Sequence, residues 1–73
     1  MTLAEMKPGD RGRVVSMDLA GPLRERLLEL GLLPGAEVEV VRRAAFGGPL
    51  ECRFRSASYA LRAEDARRVE IAR

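Results

Sequence analysis

The stretch PLRERLLELGLLPGAEVEVV, Pro22–Val41, decides the fold of this chain, because it reads as a helix, a stop, a turn and a strand in succession. Leu23, Leu27 and Leu30 fall on one helical stripe, and Leu28 widens it. Pro22 suits the first helical position, where its missing N–H would be unpaired anyway. Gly31 supplies the left-handed conformation that ends a helix. Pro34-Gly35 then sets a turn, and Val38 and Val40 alternate with Glu37 and Glu39 as a half-buried strand does. A helix this short is marginal alone in water. Its leucine face therefore needs a cover, and the rest of the chain should provide a sheet.

Working outward toward the N-terminus, Asp18–Gly21 is a connector and Arg11–Met17 (RGRVVSM) a strand. Gly12, Val14 and Ser16 share one face of that strand, and Gly12 marks either a bulge or a close backbone approach. Before it, Pro8-Gly9 signals a turn, and Leu3 and Met6 either fold back on the domain or belong to a frayed end. Toward the C-terminus, Arg42–Pro49 (RRAAFGGP) reads as a loop with Phe46 near its tip. Leu50–Arg55 alternates cleanly, with Leu50, Cys52 and Phe54 on the core face. Ser56-Ala57-Ser58 is the expected turn and Tyr59–Arg62 the return strand. Ala63–Arg67 suggests one helical turn, and Arg68–Ala72 a last strand with Val69 and Ile71 inward. Short strands joined by Gly/Pro turns favour a mainly β, small, partly open barrel of about five strands with one short inserted helix.

The chain has 73 residues, which sets the expectation of one domain over 1–73. Thirteen basic against eleven acidic side chains leave a formal charge of only +2, so charge alone does not make a polyanion binder. One cysteine allows no internal disulfide, nothing signal-like follows Met1, and no apolar run approaches membrane-spanning length. A cytoplasmic protein without membrane insertion is expected.

Chemistry is sparse. Histidine, the commonest general base and metal ligand, is absent, and no glycine loop or nucleophile turn has a catalytic spacing. No catalytic residue, cofactor or metal site is expected. Cys52 reads as a core residue, since it shares a strand face with Leu50 and Phe54. Arg42, Arg43, Arg53, Arg55 and Arg62 come together if the middle strands are adjacent. They form either a solvated face balanced by Glu39 and Glu51, or a docking surface for an acidic protein or a nucleic acid. Phe46 beside Arg42-Arg43 favours nucleic acid, but the row of surface aromatics that single-strand binders stack on is missing. Leu32 and Leu33 either close the core or form an apolar lip for a partner. The candidate partner-binding residues are thus Leu32, Leu33, Phe46, Arg42 and Arg43.

The chain resembles the FeoA family, small cytosolic accessory proteins of bacterial ferrous iron uptake. The resemblance is carried by Leu3, Pro8-Gly9, Gly12 and Val14, then Arg26-Leu27-Leu28, Leu30-Gly31-Leu32 and Pro34-Gly35. It continues through Val38, Val40, Gly48-Pro49, Ala60-Leu61-Arg62, Glu64–Ala66 and Val69-Glu70-Ile71. Two turns depart from the family pattern: Gly48 stands where Asp often precedes the proline, and Arg55-Ser56-Ala57-Ser58 replaces a turn that often holds Gly. The resemblance implies an SH3-like β-barrel and a supporting, non-enzymatic role for FeoB, a membrane permease with a cytosolic GTP-binding domain. It implies no bound metal. The alternatives are a small nucleic-acid-binding barrel using the arginine face, or an interaction domain like that of iron-dependent repressors. Open sheet edges add self-association as a further expectation.

Overall fold

The computed structural model describes residues 1–73. The chain forms β1 (Arg11–Met17), α1 (Gly21–Leu30), β2 (Glu37–Arg43), β3 (Leu50–Phe54), β4 (Ala57–Leu61), α2 (Ala63–Ala66) and β5 (Val69–Ala72). The strands make one antiparallel sheet in the order β4-β3-β2-β1-β5. Fourteen buried residues from both helices, all five strands and the segments between them form one core.

Helix α1 ends where the glycine predicts. Gly31 has φ 109°, and the Leu32 N–H reaches back to the Leu27 carbonyl at 2.9 Å while the Gly31 N–H bonds Leu28 at 3.1 Å. This is the Schellman arrangement, which brings the residue after the glycine back toward the last turn. Leu32 consequently joins Leu27 in the core, and both are fully buried. That overturns the reading of Leu32 as part of an exposed lip. Leu33 is half-buried, in a corner tied to β1 by Gly35 N–H to Val14 O and Val14 N–H to Ala36 O.

Two boundaries move. Arg42 and Arg43 are the last residues of β2 and not loop, because they pair with Glu51 and Leu50 across a register shift after Val40. The β3–β4 turn is only Arg55-Ser56, so β4 begins at Ala57, two residues earlier than expected. A two-residue hairpin favours positive φ in its turn, and Arg55 takes φ 55° there. Gly12 proves to be a close approach: it is buried against Ile71 of β5, and the irregularity in β1 lies further on, between Val14 and Ser16.

The N-terminal segment folds back. Leu3 and Met6 are fully buried around a 3₁₀ turn, Leu3–Glu5. Thr2 bridges Glu70, and the Ile71 N–H donates to Met1 O at 2.6 Å, so this segment lines the outer edge of β5. At the other side of the sheet, β4 pairs only with β3.

Candidate functional site

The loop between β2 and β3 is built by its glycines and two short bonds. Ala44 N–H donates to Pro49 O at 2.9 Å and closes its base; Gly48 N–H donates to Ala45 O at 3.2 Å and closes its tip. The two residues between, Phe46 and Gly47, have φ 59° and 72°. Left-handed conformation at both central positions is what a type I′ turn needs, and Asn or Gly usually occupy them. A bulky side chain in that region costs roughly 1–2 kcal/mol. Phe46 accepts this cost while its ring is fully exposed, at 106% of its reference area. Nothing in the fold gains from the ring. Ala44–Pro49 carries no charge, so the tip is an apolar projection with one aromatic at its end.

The candidate arginines have separate roles. Arg42 Nε lies 3.1 Å from Glu51 Oε1, its cross-strand partner. Arg43 Nη1 donates to the carbonyls of Ala4 at 2.6 Å and Met6 at 2.8 Å, which fastens the loop's base to the N-terminal segment. Arg53 faces Glu39 at 3.9 Å. Arg62 donates to Asp65 at 3.1 Å, and this bond holds its guanidinium pKa above the usual value. Arg55 lies over Gly31 at the end of α1. The strands spread these residues along the sheet, with Arg42 opposite Glu51, Arg53 opposite Glu39 and Arg55 at the end of α1, and carboxylates and carbonyls occupy most of them. Arg43 in particular ties the fold together, which its position in the sequence did not reveal.

Cys52 is buried on β3, its Sγ donating to Tyr59 O at 3.4 Å, and burial pushes its thiol up to about 12. A thiol held neutral is a poor nucleophile and a poor metal ligand. No three Cys, Asp and Glu side chains are grouped to hold a metal ion, and no helix is long and apolar enough to cross a membrane. One residue missed by the sequence reading belongs to this end of the molecule. Arg67, at the end of α2, lines a recess with Gly47, Gly48 and Pro49 of the loop. The alternating pattern had placed it only in a short turn.

One antiparallel sheet of five short strands around a single core, with a short helix inserted after the first strand, is the architecture of an SH3-like domain. The chain belongs to the FeoA domain family, whose sequence pattern matches residues 1–73. It is 34% identical over 71 residues to an Fe(2+) transport protein A/Fe(2+) transporter FeoB fusion protein of Porphyromonas gingivalis; the match covers 97% of this chain and 8% of that protein. Among solved structures, the FeoA protein of Chlorobium tepidum superposes with TM-score 0.90 at 35% identity, covering 97% of this chain and 68% of that one. The zinc-complexed FeoA of Stenotrophomonas maltophilia has TM-score 0.81 at 34% identity over 99% and 89% of the two chains. It is described as a prokaryotic SH3 domain protein and a candidate activating factor of bacterial ferrous iron transport.

Proposed function

We propose that this chain is a non-enzymatic cytoplasmic accessory of ferrous iron uptake that docks on an FeoB-type permease, with Phe46 as its anchor. The observation that carries the docking is the Phe46 turn. The chain spends conformational energy to hold its most exposed aromatic away from its own core, on a loop braced at both base and tip. Aromatic residues of this kind supply much of the energy at protein interfaces, and a preformed loop has little freedom left to lose on binding. The choice of partner is supported by the Porphyromonas gingivalis relative, in which an FeoA part and an FeoB part share one polypeptide. Fusion turns docking into an intramolecular event at an effective concentration on the order of millimolar.

The test is to compare wild type and Phe46→Ala for binding to the whole FeoB-type permease of the same cell, purified in detergent. In parallel, each restores ferrous iron uptake, or fails to, in a strain lacking this chain. Phe46→Ala should weaken binding by about 2 kcal/mol, close to 30-fold, and leave the melting temperature nearly unchanged, since the ring touches no core. Equal affinity of the two proteins, or uptake that does not depend on this chain, would sink the proposal.

A further inference from the structure

The basic residues at the Phe46 end of the molecule differ in one respect. Arg42 is paired with Glu51, Arg43 is bound to two carbonyls, and Arg62 is held by Glu64 and Asp65. Arg67 has no carboxylate within 4.0 Å and no hydrogen-bond acceptor for its guanidinium. Its backbone is nevertheless fixed, because its N–H donates to Ala63 O at 3.1 Å and closes α2. The recess it lines runs along Gly47, Gly48 and Pro49 of the aromatic loop and is completed by Ala63 and the Arg62–Glu64 ion pair. Phe46 immediately precedes Gly47, so the strained aromatic adjoins the recess that the free cation lines.

We infer that Phe46 and Arg67 form a two-point docking element, which fits a protein surface with an apolar socket rimmed by an Asp or Glu carboxylate. This rests on reading the chain as a docking module, and it names the chemistry of what is docked. The uncharged tip Ala44–Pro49 calls for an apolar, uncharged socket. A free guanidinium prefers a carboxylate, which it binds through two parallel N–H donors. Polyanions fit poorly, because a phosphate chain needs several free cations in a row and Arg42 and Arg62 at this end are already paired with Glu51, Glu64 and Asp65.

Binding to the whole FeoB-type permease in detergent tests this with Phe46→Ala, Arg67→Gln, Arg67→Glu and Arg24→Glu. Arg24 is the control: it is likewise unpaired, but it lies on α1 and outside the recess. At about 50 mM salt, Arg67→Glu should weaken binding about tenfold and Arg67→Gln about threefold, while Arg24→Glu matches wild type. At about 0.5 M salt the Arg67 effects should shrink below about twofold as the ion pair is screened, while the Phe46→Ala loss persists. If wild type binds and Phe46→Ala fails, but the Arg67 variants track Arg24→Glu, the two-point element is refuted and the Phe46 docking stands. If wild type does not bind the permease, both are refuted. Tight, steeply salt-dependent binding of single-stranded RNA that Arg67→Glu abolishes would also overturn it, by assigning the surface to a phosphate chain.

Discussion

Cys52 illustrates how a residue's chemistry is set by its surroundings. The sequence places it on the core face of a strand, and burial there raises its thiol from 9.0 to about 12. Between these values the unfolded chain has lost the proton and the folded one keeps it. The folded state then binds more protons, so stability falls as pH rises above about 9, by at most ~1.4 kcal/mol per pH unit. Urea melts of wild type and Cys52→Ala at about pH 8 and pH 10 isolate this effect, because the two proteins share every other titratable group. Wild type should lose more stability than the variant on going to the higher pH; equal losses would contradict the assignment. Phe46 and Arg55 are the opposite case. Their positive φ values follow from turns closed by other residues, and neither side chain announces a left-handed conformation in the sequence.

At the scale of elements, periodicity located α1 and the buried faces of β2, β3 and β5 correctly, because each has one face in water and one in the core. It failed where pairing, not patterning, fixes the boundary. Arg42 and Arg43 are polar and precede a Gly-rich loop, yet β3 offers them ladder partners. Ala57 and Ser58 resemble turn residues, yet they complete the hairpin opposite Phe54 and Arg53. Gly12 sits where β5 leaves no room for a side chain: an added Cβ would press on Ile71 Cγ2 and lie 3.1 Å from Ala72 O. Gly12→Ala should therefore cost about 1–3 kcal/mol through overpacking. It would be seen as a lower urea midpoint with an unchanged slope, and an unshifted midpoint would mean that β5 moves aside freely.

For the whole molecule, the decisive feature is that one small core draws on every part of the chain. Leu27 of α1, Leu3 and Met6 of the N-terminal segment, Ala66 of α2 and the inward faces of the strands share it. A domain of this size buries only about 60% of its unfolded surface, so no part of that core is dispensable. Leu27→Asp places an unpaired carboxylate at a fully buried position and should abolish cooperative folding. Circular dichroism would then show no melting transition, and a wild-type melting curve would refute the claim. The proposed docking surface also belongs to this scale. Phe46 could be singled out in the sequence as an isolated aromatic in a glycine loop, whereas Leu32 could not be separated from Leu33 until the helix stop turned it inward.

Pro22–Val41 by itself determined the helix, its glycine stop, the turn and the strand that follows, since these depend on backbone preferences and on spacing within one segment. Tertiary structure alone decided which charged residues are paired within the fold and which are not. Arg42, Arg43 and Arg62 are satisfied by groups near or far along the chain, and Arg67 is not. Whether a charge is free depends on what the fold brings within about 4 Å of it, and that is a property of packing in space and not of order along the chain.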